Sequence, residues 1–249
     1  MPGLTVTIIT RDEADRLEEA VASVAFADEV VIVDSGSTDG TIELARRLTP
    51  KVFVREWPGF AEQKNFAAAQ AAHDWIFSLD ADERASPGLG QEVRGLLASG
   101  PSASAYRVPR VSFYLGRWIR STDWYPDHQV RLYDRRAASW AGAHVHESVR
   151  ALGPVGRLRH ELLHLPYRDV SHHLRTIDRY TELAARQLME EGRRVTLPGL
   201  VARPLGAFLR NYVLRGGWRD GGVGLVVSVL NSYYVFLKFA RLWTATHVR

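Results

Sequence analysis

Four short apolar runs, separated by stretches of helical periodicity, fill the first third of the chain. This alternation constrains the fold more than any other feature of the sequence. Thr5-Val-Thr-Ile-Ile-Thr10 is β-branched throughout and reads as a strand. Asp12 to Val24 places Leu17, Val21 and Val24 on one helical face. Glu29-Val-Val-Ile-Val-Asp34 is a second strand, followed by the turn-rich loop Ser35-Gly-Ser-Thr-Asp-Gly40 and a helix from Thr41 to Leu48. Val52 to Glu56, Ala61 to Ala72 and Trp75 to Leu79 continue the series as strand, helix and strand. Strands that are apolar almost throughout are buried on both faces. The pattern therefore predicts an α/β fold, a Rossmann-like, mostly parallel sheet flanked by helices.

After Asp82 the rhythm changes. A helix is expected over Gly88 to Ser99, then strands over Ala105 to Val111, Gly116 to Arg120 and Val130 to Asp134, as a mixed extension of the sheet. A helix returns over Ser171 to Glu191, with Ile177, Tyr180, Ala184 and Leu188 on one face. Pro198 and Pro204 interrupt the chain before a last apolar region. The expected division is a catalytic domain over 1–170 and a C-terminal helical region over 171–249, packed on it and membrane-associated.

In open parallel sheets, ligands bind beyond the carboxyl ends of the strands. Three polar segments lie at such ends: Thr10-Arg-Asp-Glu13, Asp34-Ser-Gly-Ser-Thr-Asp-Gly40 and Asp80-Ala-Asp82. The last pair follows a buried strand and offers two carboxylates to one hard cation. Mg²⁺ or Mn²⁺ suits such ligands and would neutralise a diphosphate leaving group. The chain has no cysteine, which excludes disulfides, thiolate metal sites and a cysteine nucleophile. The second loop has two readings that coexist. Asp34 suits a base N–H or a ribose hydroxyl, and Asp39 or Thr41 suits a helix cap.

Taken together, Thr10-Arg-Asp-Glu13, Val33-Asp-Ser-Gly-Ser-Thr-Asp-Gly-Thr41 and Ser78-Leu-Asp-Ala-Asp-Glu83 resemble the family 2 glycosyltransferases of the GT-A fold. Gln63-Lys64-Asn65, Pro126-Asp-His-Gln-Val-Arg-Leu-Tyr133, the pair His146-Glu147 and Tyr212-Val-Leu-Arg-Gly-Gly-Trp-Arg-Asp-Gly221 are similar, more narrowly, to bacterial lipopolysaccharide core β-1,4-glucosyltransferases. The resemblance implies a nucleotide pocket lined by Thr10, Glu13 and Asp34, with Lys64 facing the nucleotide or diphosphate. It implies that Asp80 and Asp82 hold the ribose and the metal–diphosphate unit, Asp82 being the more direct metal ligand. The first loop departs from the family pattern: Arg11-Asp12 stands where an aromatic or lysine followed by asparagine is commoner.

Transfer with inversion needs a carboxylate within hydrogen-bond reach of the acceptor hydroxyl, opposite the leaving diphosphate. Glu147 is the first expectation for this base, by analogy with related enzymes, and Asp127 the second. His146 is the expected nitrogen ligand of the metal. His128, His144, His160, His164, His172 and His173 are read as structural. Trp124-Tyr125 is the best candidate for stacking on an acceptor sugar, among Trp57, Trp118 and Trp140.

Two further function classes compete with a hexosyltransferase using a UDP-sugar. A nucleotidyltransferase acting on sugar phosphates would carry glycines in the first loop, which Thr10-Arg-Asp-Glu13 lacks. A non-catalytic sugar-nucleotide binder needs no base. The expected acceptor is a glycan or glycolipid of the lipopolysaccharide core or cell envelope. Gly222 to Ala240 is largely apolar but holds Ser228, Asn231, Ser232 and Lys238, and basic residues cluster from Arg203 onward. An interfacial helix on a membrane surface is expected rather than a span. No nucleic-acid-binding signature is present, so no nucleic acid is expected as partner. Met1-Pro2-Gly3 leads into the first strand without a basic lead or long apolar stretch. The expected location is the cytoplasm, at the inner face of the membrane.

Overall fold

The computed structural model describes residues 1–142 and 147–247. Their contacts divide the chain into two compact units, Met1–Arg110 with Asp127–His164, and Val111–Pro126 with Leu165–Arg249.

In the first unit, β1 (Leu4–Thr10), β2 (Glu29–Asp34), β3 (Val52–Val54) and β4 (Trp75–Asp80) pair in parallel in the order β3-β2-β1-β4. The expected α/β architecture is therefore present. The connecting helices are α1 (Leu17–Ala22), α2 (Thr41–Leu48) and α3 (Phe60–Ala69). Side chains alternate across the sheet. Leu4, Val6, Ile8, Ile32, Phe77 and Leu79 meet α1 and α2 on one face, while Val31 and Val33 meet Ala67 of α3 on the other. Full burial of such side chains contributes about 1.5–3 kcal/mol each. Helix α1 is shorter than the apolar spacing predicts because residues 11–16 are drawn into a turn. Asp12 there takes a left-handed conformation, φ 54°.

Beyond β4 the sheet turns mostly antiparallel. It gains β5 (Glu83–Ala85), β6 (Ala105–Tyr114), β8 (Asp127–Asp134), β11 (Val155–Arg157) and β12 (Leu162–His164); the intervening β7 (Arg117–Ile119) belongs to the second unit. Strand order continues β4-β8-β6-β12-β5, and β11 pairs in parallel with β6. Helix α4 (Pro87–Ser99) joins α1 and α2 on their face through Leu89, Val93 and Leu97. A separate hairpin pairs β9 (Ala138–Ala141) with β10 (Ser148–Ala151). Strand β8 begins three residues earlier than expected, which sets Asp127 opposite Arg110 of β6.

The second unit holds α5 (Val170–Glu190), α6 (Leu197–Leu209) and α7 (Gly221–His247). Asp169 caps α5 by accepting from the His172 N–H at 2.6 Å. The buried row of α5 is His173, Ile177, Thr181 and Ala185 rather than the row expected from sequence; only Ile177 is shared. The prolines do not interrupt this region as expected. Pro198 lies in the first turn of α6, where a missing N–H costs nothing, and Pro204 is accommodated inside the helix. Ser232 of α7 donates to the Pro204 carbonyl at 2.8 Å. Helix α7 begins against its own preceding turn: a Cβ on Gly224 would lie 1.9 Å from the Gly217 carbonyl oxygen, so only glycine fits there.

Candidate active site

The exits of β1, β2 and β4 carry Thr10, Asp34 and Asp80, and the parallel pairing sets Thr10 beside Asp34 and Ile9 beside Asp80. The first two loops are zipped together. The Asp12 N–H donates to Ser37 Oγ at 2.8 Å, and Asp12 Oδ1 accepts from the Thr38 N–H at 2.8 Å. Aspartate and asparagine tolerate the left-handed conformation because their short polar side chains bond locally. Asp12 therefore closes the first loop onto the second through its own side chain. The Glu13 N–H donates to Thr41 Oγ1 at 3.0 Å. Asp39, one residue before the Gly40 N-cap, accepts from the Thr41 N–H at 3.0 Å at the start of α2.

Asp34 is fully buried. Its carboxylate accepts from the Gly36 N–H at 2.8 Å, the Ser37 N–H at 2.7 Å and the Ser37 hydroxyl at 2.5 Å. These bonds shape the loop. Thr10 Oγ1, in contrast, is buried at the end of β1 with no hydrogen-bond partner among the described residues.

Three consecutive residues of α3 reach three parts of the site. Gln63 Nε2 donates to Ser35 Oγ at 3.2 Å. Lys64, buried, meets Asp80 Oδ1 at 3.0 Å and Glu147 Oε1 at 3.9 Å, and lies over the Trp140 ring at 4.2 Å. Asn65 exchanges two hydrogen bonds with the Trp140 backbone, at 2.8 and 2.9 Å. Lys64 thus links the end of β4 to the segment carrying Glu147.

Asp80 has each oxygen on a cation. Lys64 takes Oδ1, and Arg131 of β8 donates to Oδ2 at 2.6 Å. Burial alone would raise its pKa, but the charges of Arg131 and Lys64 prevail and hold the carboxyl well below the usual range. Arg131 also donates to Glu83 Oε1 at 2.5 Å, and Arg110 donates to the same oxygen at 2.9 Å. Burial opposes the charge on Arg131, yet Asp80 and Glu83 raise its pKa further. Glu83, completely buried, accepts the Asp80 N–H through Oε2 at 3.1 Å. Arg110 reaches onward to Asp127 Oδ2 at 2.8 and 2.6 Å, and Gln129 donates to Asp127 Oδ1 at 2.7 Å.

Asp82 lies apart from these arginine bonds. Its Oδ2 is 3.3 Å from His164 Nε2 at the end of β12. Burial would raise the Asp82 pKa, but His164 beside it and the more distant Arg110 lower it, against the repulsion of Asp80. Glu147 Oε2 is buried with no hydrogen-bond partner among the described residues. His146 lies outside the described residues, as does His144.

The structure thus joins Lys64, Asp80, Asp127 and Glu147, all expected from sequence, through Glu83, Arg110 and Arg131, which sequence reasoning did not single out. Glu83 and Arg131 were inside the quoted motifs, and Arg131 between the apolar Val130 and Leu132 was the one available signal. His164 was read as structural, yet it faces Asp82. Glu13 sits where the two loops join. The expected sugar platform at Trp124 has another setting. In the second unit its ring packs with Tyr114, Tyr167 and His173, and its indole donates to Asn231 at 3.3 Å.

Among the described residues no group of three or more Asp, Glu or His side chains is gathered about one point. A divalent cation here would draw most of its shell from substrate phosphates and water, as Mg²⁺ commonly does. In the linked site three cations, Lys64, Arg110 and Arg131, pair with four carboxylates, Asp80, Glu83, Asp127 and Glu147, and Asp82 lies outside those pairs. Asp82 and His164, an oxygen and a nitrogen donor 3.3 Å apart, are the residues that would hold such a cation.

The family model for glycosyl transferase family 2 matches residues 5–151. A lipopolysaccharide core biosynthesis glycosyltransferase, LpsC of Rhizobium meliloti (strain 1021), is 32% identical over 247 residues, covering 96% of this chain and 92% of the relative. An uncharacterized glycosyltransferase of Rickettsia typhi is 29% identical over 255 residues, covering 97% and 87%. Among solved structures, the mannosyltransferase PcManGT of Pyrobaculum calidifontis, in complex with GDP-Man and Mn²⁺, superposes with a TM-score of 0.54 at 17% identity, covering 97% of this chain and 87% of that one. That likeness gives the GT-A fold. The matched region contains all three strand-exit segments, and with them the acid and base network built around Asp80, so the chain belongs to glycosyl transferase family 2 and is a glycosyltransferase.

Proposed function

We propose that this enzyme transfers a hexose, glucose being the first candidate, from a UDP-sugar to a hydroxyl of a glycan or glycolipid acceptor, with inversion, in lipopolysaccharide core or cell-envelope glycan assembly. It would act in the cytoplasm, at the inner face of the membrane. The similarity to LpsC supports the pathway. The observation that carries the chemistry is Glu147. Its Oε1 is oriented by the Lys64 ammonium and its Oε2 is buried without a partner. An unspent lone pair on a buried carboxylate is what a general base needs. Both oxygens of Asp127 are already bonded, to Arg110 and Gln129, so Asp127 is the positioning partner of Arg110.

In this reading Glu147 takes the proton from the acceptor hydroxyl as its oxygen bonds to the anomeric carbon. The bond from that carbon to the diphosphate oxygen breaks on the opposite face, and UDP leaves. Thr10 Oγ1, unpartnered at the strand exit, borders the nucleoside together with Glu13 and the loop that Asp34 shapes. Lys64 and Arg131 hold Asp80 at the β4 exit, each on one carboxylate oxygen. Asp82 and His164 are the residues that would hold Mg²⁺ or Mn²⁺, with His146 as a further donor. Such an ion supplies Lewis-acid neutralisation of the diphosphate.

The test is paired substitution with UDP-glucose as donor. Glu147→Gln should leave UDP affinity within a few-fold and lower transfer by ~10²–10⁴. Asp127→Asn should lower it far less. The opposite pattern would make Asp127 the base. Competition between UDP and GDP for the site tests the donor nucleoside separately.

A further inference from the structure

The second unit carries a surface that donor chemistry does not use. Along α6 and the π-helical turn after it, Arg210–Leu214, the large apolar side chains of Leu197, Val201, Leu205, Leu209 and Val213 recur every four residues, each at least 50% exposed. Trp218 follows, also exposed. Side chains four apart on a helix form one drifting row, so these are a continuous stripe rather than scattered exposures. On α7, Leu225, Val229, Tyr233 and Phe236 form a second exposed row on one helical face.

The charge around the stripe is one-sided. From Gly192 to Arg219 there are six arginines and no acid. All six, Arg193, Arg194, Arg203, Arg210, Arg215 and Arg219, are exposed. Asp123 pairs with Arg210 and Arg215 and offsets part of that charge. Arg203 lies over Phe239 and Arg219 over Trp218, so both guanidinium groups sit at the border of apolar surface.

We propose that α6, its following turn and Trp218 form the docking face for an anionic lipid bilayer, with the apolar row entering the acyl boundary and the arginines meeting lipid phosphates. Apolar and basic side chains interleaved with an interfacial tryptophan are the composition that such a boundary selects. A second copy of the chain does not fit the same face, because a two-fold contact would set arginines against arginines. The sequence pattern pointed to Gly222–Ala240 as the interfacial helix. The structure moves the larger exposed row to α6, which the prolines had hidden.

Among the described residues one helical stretch, Gly217–His247, is long and apolar enough to cross a membrane by length and composition. Its polar side chains are instead bonded within the second unit. Arg241 pairs with Asp178, Asn231 Nδ2 donates to Asn211 Oδ1 at 3.1 Å, and Ser232 bonds the α6 backbone. The docking face therefore rests on the surface, not on a span.

The inference deepens the membrane-side part of the function proposed above and is independent of the donor. Its test is sedimentation of the full chain with phosphatidylcholine vesicles, with and without phosphatidylglycerol. Binding should require the anionic lipid and be lost at ~1 M salt, where screening acts within about 3 Å. Arg193→Ala with Arg194→Ala should weaken it about 25-fold, about fivefold for each basic residue. Val201→Glu with Leu205→Glu should abolish it. UDP affinity by calorimetry should be unchanged in both double variants, which separates this idea from the donor reading, and far-UV circular dichroism with unaltered helical signal reports that the second unit is folded. Equal sedimentation of the folded variants and the parent, or indifference to phosphatidylglycerol, would overturn the proposal. So would resistance to alkaline carbonate extraction, which would make α7 a span.

Discussion

Replacing Glu83 with glutamine tests whether the buried ion network holds the site together. Glu83 is completely buried and Arg131 nearly so, and one Glu83 oxygen serves both Arg131 at 2.5 Å and Arg110 at 2.9 Å. Glutamine keeps the shape and removes the charge. Hydrogen bonds to charged groups contribute about 1.5–3 kcal/mol and neutral ones about 0.5–1.5, so each arginine bond weakens by about 1 kcal/mol. The amide NH₂ then faces the Asp80 N–H, donor against donor, where Glu83 Oε2 accepted at 3.1 Å. That adds about 1 kcal/mol. Neither arginine is stranded, because Asp80 and Asp127 remain, so the total of about 3 kcal/mol sits at the lower edge of the ~3–5 kcal/mol for breaking a buried pair. Urea unfolding followed by circular dichroism and tryptophan fluorescence measures it, two probes being compared because two units need not unfold together. For a chain of this size the same loss lowers the melting temperature by about 6–12 °C. Glu62→Gln is the control. Glu62 is 70% exposed and 3.9 Å from Arg55, and its loss should cost no more than ~0.5 kcal/mol. If Glu83→Gln destabilises no more than this control, the network is not a structural hub.

Two other outcomes follow from the same geometry. UDP affinity measured by calorimetry should be higher with Mn²⁺ or Mg²⁺ than with a chelator, and Asp82→Asn or His164→Ala should each remove most of the difference, by at least ~10-fold in metal affinity; equal affinity with and without metal refutes the assignment. The second concerns acid. Burial, with His172 adding to it, lowers the His173 pKa from 6.5 to about 4, where the ring stacks on Tyr167 and its Nδ1 meets the Tyr114 hydroxyl at 3.0 Å. Below pH 6.5 the unfolded chain takes up a proton that the folded second unit refuses. The stability is therefore full above 6.5 and falls by up to about 3 kcal/mol as the pH drops to 4. Thermal unfolding of His173→Phe should depend less on pH over that window than the parent does. Identical slopes would contradict the buried neutral imidazole.

The alternation of apolar runs and helical spacing was enough to predict the parallel core, because both periodicities are local. It also located Thr10, Asp34 and Asp80, since a parallel strand must end at the ligand-binding edge. Local spacing says nothing about which charges meet across the sheet. Arg131 is 51 residues from Asp80, and Glu83 is 48 from Arg131; only the antiparallel return of β8 beside β4 brings them together. The same holds for His164, which ends a three-residue strand too short to carry a period and reaches Asp82 only because β12 pairs with β5. The exposed row of α6 was obscured for a different reason. Proline marks a helix end in sequence, but one lies in the first turn and the other is accommodated where Ser232 bonds its carbonyl. Acids at strand ends were thus determined by sequence. Their partners, and so which carboxylate is left with a free oxygen, were decided by tertiary structure, because charge pairing depends on distance in space rather than along the chain.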